Sequence, residues 1–138
     1  GMQYTAEGEL SLSDYFEINT IEPNAPFEIA NNTLVCRVVD HVPGQLAYSL
    51  QINNDILYSG DTNKPVISDD VKQIFHEVTF VKAAGTVHTY VGELMELPES
   101  QRKKIKLIHY ADGNSLQYKD LAEEYFDGFV QQHELFTY

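Results

Sequence analysis

The chain predicts an α/β fold: a mixed sheet with helices on one of its faces. Two observations carry this. The first half alternates short apolar runs with hairpin turns, and the second half alternates strand-like and helix-like segments. Hairpins give antiparallel pairs and strand-helix-strand units give parallel ones, so the two halves together build a mixed sheet. Residues 3–138 are expected to form a single domain, since 138 residues can bury a real core. Gly1-Met2 reads as a tag-removal scar and is set apart from the fold.

From about Tyr15 to Ile29, Phe16, Ile18 and Ile21 interleave with Glu17, Asn19 and Glu22. This predicts extended chain, turned at Pro23-Asn24-Ala25-Pro26 and resumed at Phe27-Glu28-Ile29. After a turn at Asn31-Asn32, the β-branched run Leu34 to Val39 predicts a strand buried on both faces, with Cys36 inside it as a small buried hydrophobe. Leu46 to Ile52 and Ile56 to Tyr58 predict a hairpin around Asn53-Asn54-Asp55. Ser68-Asp69-Asp70 then resembles the cap of a short helix reaching about Ile74, ahead of a strand at Val78, Phe80 and Val81. Tyr90, Val91, Leu94 and Leu97 have helical spacing and stop at Pro98, while Ile105 to Ile108 predicts a strand. Leu116 to about His133 predicts one closing helix, with Leu121, Tyr125, Phe129 and Val130 along a stripe.

Charge and composition narrow the function classes. A net charge of -12 weighs against a broad contact with a nucleic-acid backbone, which needs clustered Lys and Arg. The basic cluster Arg102-Lys103-Lys104-Lys106 is flanked by Glu96 and Glu99 and reads as a solvated loop before a strand. With one cysteine an intramolecular disulfide is impossible. No apolar stretch suits a membrane span or a signal peptide, so a cytoplasmic address is expected.

The residues suited to chemistry sit at predicted strand ends. His41 precedes Val42-Pro43-Gly44, Asp61 lies in Ser59-Gly60-Asp61-Thr62, His88 is followed by Thr89, and His109 follows Ile108. Imidazole and carboxylate are the ligands a divalent metal needs, and α/β folds place sites at the C-terminal ends of strands. His76 and His133 are expected to be structural, the first ahead of a strand and the second near a helix end.

Several of these segments together resemble the C-terminal half of a metallo-β-lactamase-fold hydrolase, and within it the branch of ribonuclease Z and related phosphodiesterases. The resemblance runs from about Asp14 to His109. It rests on His41 ahead of Leu46-Ala47-Tyr48-Ser49-Leu50, on Ser59-Gly60-Asp61-Thr62, on His76-Glu77-Val78-Thr79 entering an apolar strand, on His88-Thr89 opening a helix, and on Leu107-Ile108-His109. It implies half of an αββα sandwich. It also implies a site with two divalent metals (zinc, manganese or iron) that activate a water to hydrolyse a phosphodiester, ester or lactone. His41 would serve one metal, His109 the other, and Asp61 would bridge them. His88 would stabilise the transition state or act as general acid, oriented by Glu77.

One family motif is missing. No His-x-His-x-Asp-His cluster occurs in these residues, and His41 is the first histidine. The chain alone is therefore expected to be inactive or to bind metal weakly, with a non-catalytic dimerisation or binding module as the alternative. Half a sandwich would also expose an apolar sheet face. A homodimer, a missing N-terminal half, or the C-terminal helix with Phe129, Val130 and Phe136 is expected to cover it. A small-molecule substrate is expected and nucleic acid is not.

Overall fold

The computed structural model describes residues 3–5, 8–111 and 113–138; Gly1-Met2 lies outside them. Strands β1 (Gln3–Thr5) and β2 (Gly8–Leu10) form a small antiparallel pair. The main sheet has six strands in sequence order: β3 (Pro26–Ile29), β4 (Asn32–Val39), β5 (Ala47–Ile52), β6 (Ile56–Tyr58), β7 (Gln73–Glu77) and β8 (Ile105–Ile108). Pairing is antiparallel from β3 through β6 and parallel from β6 through β8. This is the mixed α/β sheet expected. Because β4 and β6 are both antiparallel to β5, they run the same way as β7 and β8. All four of those strands therefore end at the same edge of the sheet.

Helices cover one face. Leu57, Ile74, Ile105 and Leu107 point to it and pack with Val91 and Leu94 of α1 (Val91–Met95) and with Ala122 and Phe126 of the C-terminal segment. Burying such side chains contributes roughly 1.5–3 kcal/mol each, so this cluster dominates the stability of the sheet. The other face carries Cys36, Val38, Tyr48, Leu50, Tyr58 and Phe75, by the alternation of the register. Val38 and Tyr58 remain about half exposed, at 51% and 45%.

The sequence and the structure disagree in instructive places. The alternating stretch 15–25 forms no strand, because no neighbouring strand offers it a ladder; only 26–29 pairs, with β4. Strand β4 is not buried on both faces, since Arg37 and Val38 are exposed, and Cys36 is half-buried beside a cavity lined by Thr20, Ile21, Pro23 and Tyr48. Ser68-Asp69-Asp70 starts no helix. Lys104 and Gln101 bind the Asp69 carbonyl and carboxylate, and the Lys72 and Gln73 amides both donate to the Asp55 carbonyl, which delivers the chain into β7. The strand is thus 73–77 rather than one beginning at Val78, so His76-Glu77 ends a strand instead of entering one.

The basic cluster is also more than a solvated loop. It begins in α2 (Glu99–Arg102), and its cations bind carbonyls: Arg102 that of Leu97, Lys103 that of Glu124 and Lys106 that of Asp127. The single closing helix is instead two short ones, α3 (Asn114–Gln117) and α4 (Lys119–Tyr125). After Gly128 the chain extends beside β8, with Leu107 donating to the Gly128 carbonyl and Val130 to that of Leu107. Phe129 and Val130 therefore lengthen the sheet rather than cover its open face. Phe136 does reach that face, edge-on to Phe75 at 5.1 Å.

Candidate functional site

The site forms where β4, β6, β7 and β8 end. His41 follows β4, Asp61 follows β6, Glu77 ends β7 and His109 follows β8. His88 comes from the segment after β7, where the Thr79 amide donates to the Thr89 carbonyl and Val91 donates back to Thr79. That short parallel bridge brings residue 88 alongside the end of β7.

Each residue of Ser59-Gly60-Asp61-Thr62 has its own physical task. Ser59 is fully buried and its Oγ accepts the Glu77 amide at 3.0 Å. Gly60 has φ +66 and lies so close to β5 that a Cβ would sit 2.1 Å from the Tyr48 carbonyl oxygen. Only glycine fits there. Asp61 faces the site, half exposed, with Oδ1 3.0 Å from His109 Nδ1. Thr62, fully buried, donates its amide to Glu77 Oε1 at 2.8 Å.

Glu77 is the hub. Only 1% of it is exposed, a position that a carboxyl group tolerates only when its oxygens are well satisfied. Oε1 accepts the amides of Thr62 and Thr89 at 2.8 and 3.2 Å. Oε2 faces His88 Nδ1 at 2.5 Å and His109 Nδ1 at 3.4 Å. With Glu77 taken as a carboxylate, which only accepts, the bond at Oε2 assigns its proton to His88 Nδ1, and Nε2 takes no part in it.

His109 has φ 54, in the left-handed region, which costs a non-glycine residue about 1 kcal/mol. That conformation turns its ring toward Asp61 and Glu77, and strain of this kind gathers at functional positions. His41 Nδ1 lies 2.8 Å from the Val87 carbonyl, which it binds as a donor, so its Nε2 is free to accept or ligate. The His41 and His88 rings lie 5.6 Å apart and those of His88 and His109 5.1 Å.

The structure thus gathers all the residues singled out from the sequence: His41, Asp61, Glu77, His88 and His109. Among the described residues, the group whose ligand atoms all lie within 4.8 Å of one another is Glu77, His88 and His109; of the expected metal residues only His109 is in it, while His41 stands outside beside His88 and Asp61 outside against His109. Two imidazoles and a carboxylate suit a divalent transition metal, so the donor chemistry fits one. Asp61 also lies against His109, close enough for a direct hydrogen bond.

His76 is structural, as expected, though for a different reason: it lies inside β7. It is fully buried, its Nε2 accepts the Val66 amide at 2.9 Å, and its Nδ1 donates to the Glu77 carbonyl at 2.7 Å. Burial holds its pKa below the ordinary histidine value, so it is a neutral pin between the 62–67 loop and β7. Sequence reasoning missed Ser59, Thr62 and Thr89. Their signal was present in the letters around Asp61 and after His88, where polar residues stand in otherwise apolar surroundings.

The mixed sheet with helices on one face has the fold of part of a metallo-β-lactamase fold protein. The chain superposes on the metallo-β-lactamase fold protein YhfI from Bacillus subtilis with a TM-score of 0.58 at 15% identity, over 80% of this chain and 49% of that one. More specifically, the family profile described as Anti-Pycsar protein Apyc1 matches residues 1–136, and the chain belongs to that family. The match reaches well past His109 into the C-terminal segment. The Anti-Pycsar protein Apyc1 of Saccharibacillus brassicae is 38% identical over 116 residues, 78% of this chain and 48% of that protein. The protein of that name from Paenibacillus sp. (strain J14) is 35% identical over 92% of this chain and 54% of its own length. The chain spans about half the length of the curated relatives it matches.

Proposed function

We propose that this chain supplies one side of a metal-dependent hydrolytic site that cleaves a small phosphodiester. The observation that carries the reading is the meeting of Asp61, Glu77, His88 and His109 at one sheet edge. The sequence leaves phosphodiester, ester and lactone open, and the phosphodiester is put first as the reading to test. In this reading His41, Asp61 and His109 would hold divalent metal. A bound divalent metal would supply Lewis acidity and an activated water. Glu77 holds the His88 ring so that its Nε2 addresses the scissile group. With Nδ1–H committed to Glu77, Nε2 is the atom that would take up a proton to form the imidazolium and then give it to the leaving oxygen.

The charge of -12 selects for size. A polyanion would meet repulsion along its whole length, whereas a molecule with a single phosphodiester brings one negative charge to the site. A cyclic nucleotide is such a molecule and is the first substrate to test. His41, Asp61 and His109 are fewer ligands than two metals require, so full activity belongs to an assembled site that brings further ligands.

A second reading, a non-catalytic module for dimerisation or binding, draws support from the half-exposed Val38, Tyr48 and Tyr58 on the open sheet face. Either a second copy of the chain or a complementary half-domain would close that face. Size exclusion with light scattering distinguishes these by mass. The function itself is tested by elemental analysis of the purified chain and of Asp61→Ala, together with hydrolysis of a cyclic nucleotide, a linear phosphodiester, an ester and a lactone. Metal in the wild type, reduced in the variant, supports the hydrolase. A wild type with only trace metal, indistinguishable from the variant in all assays, refutes it.

A further inference from the structure

We propose that Thr89 is a positioning residue that acts on His88 through Glu77. It does so by tying the segment that bears His88 to the loop that bears Asp61. Thr89 is fully buried and makes two bonds of different kinds. Its amide donates to Glu77 Oε1 at 3.2 Å, and its hydroxyl donates to the Thr62 carbonyl at 2.9 Å. Thr62, one residue after Asp61, places its own amide on the same Oε1 at 2.8 Å. The two threonines and the carboxylate thus close a ring of hydrogen bonds, in which the Thr89 hydroxyl links directly the two backbone arms that Glu77 Oε1 also holds.

Removing that hydroxyl acts at a distance. The Thr62 carbonyl, in buried surroundings, loses its donor, and an unpaired buried polar group is driven toward solvent. The two amides that hold Oε1 then no longer move as a unit. Oε1 fixes the rotation of the carboxyl group, so Oε2 swings relative to His88 Nδ1. Among the described residues Thr89 makes no hydrogen bond to the His88 ring or to Asp61; its influence runs through Glu77. The catalytic meaning of this brace rests on the reading above, in which His88 and Asp61 serve one reaction.

The test reads the brace directly, in the metal-free chain without substrate. The Nδ1 proton of His88 is observed by NMR in histidine-labelled protein, assigned by its loss in His88→Gln, and its exchange with solvent is measured. Thr89→Ser keeps the hydroxyl and is expected to keep the proton at the wild-type exchange rate. Thr89→Val keeps the shape and loses the hydroxyl, and exchange is expected to rise about tenfold, the scale of one net hydrogen bond. Ile105→Val, a core change away from the ring, controls for general loosening. Should Thr89→Val fail to fold, Thr89→Cys, with a weak donor in its place, is expected to give an intermediate rate.

Wild-type exchange in Thr89→Val or in Thr89→Cys overturns the proposal, as does an equal rise in Ile105→Val. The metal and hydrolysis assays on the wild type judge the functional reading separately. A chain that hydrolyses nothing but loses the proton in Thr89→Val keeps the brace and loses only its catalytic purpose.

Discussion

Gly60→Ala measures how closely the Asp61 loop is pressed against the sheet. Two costs are expected, and they can be separated. The first is conformational: at φ +66 an alanine sits in the left-handed region, for about 1 kcal/mol. The second is steric. The added carbon would lie 2.1 Å from the Tyr48 carbonyl oxygen and 3.0 Å from its carbon, and the obstacle is strand backbone rather than a mobile side chain. Relief requires shifting the loop or β5, and overpacking of this kind costs about 1–3 kcal/mol. Gly44→Ala and Gly113→Ala isolate the first cost, because their φ values are +80 and +84 and nothing lies within 4 Å of the new carbon. For a chain of this size each kcal/mol lowers the melting temperature by about 4 °C. Thermal melts should thus show a loss of about 4 °C for the two controls and about 8–16 °C for Gly60→Ala. A Gly60→Ala melt within about 2 °C of the controls would refute the close approach.

Further predictions concern the buried groups. Glu77→Ala strands the buried Thr62 and Thr89 amides and is expected to cost about 2–4 kcal/mol in denaturant unfolding. Glu77→Gln keeps an oxygen for both amides and should recover most of that loss, while reversing the ring proton on His88; equal losses in the two variants would remove Glu77 as the hub. His76 sets a pH dependence. Its folded pKa is below the ordinary 6.5, so as pH falls through that value the unfolded chain takes up the proton first. The contribution of His76 to stability is therefore present above about pH 6.5 and lost in acid. Denaturant midpoints of the wild type should drop between about pH 7.5 and pH 5, and less so in His76→Asn; parallel curves would contradict it.

What could be read from the residues depended on whether the cause was local. Ile105 to Ile108 is apolar, short and followed by a histidine, and the structure places strand and side chain as expected. Helix α1 ends before Pro98 for an equally local reason. β7 was hidden because Gln73, His76 and Glu77 give it a polar pattern, and its strand state comes from pairing on both sides with β6 and β8. Ser68-Asp69-Asp70 imitated a cap, although its carbonyl and carboxylate are taken by Lys104 and Gln101, more than 30 residues later. The closing helix stops at Tyr125, at a pattern that still reads as amphipathic, because Gly128 turns the chain and Phe129 joins the free edge of β8. At the site, the side chains that point into solvent-facing chemistry were legible from the family resemblance. The buried threonines that hold them were not, because a hydroxyl bonded across 27 positions leaves no local trace.

The shared direction of β4, β6, β7 and β8 has a practical side as well. Every candidate site residue lies at one rim, so the opposite rim, with the turns at Asn31 and Asn54, is free for attachment. Asn54 is exposed and lies a strand length from Asp61, roughly 20 Å for six residues. A fluorophore or surface tether placed there would report on the molecule, or immobilise it, while leaving the candidate site facing the solution.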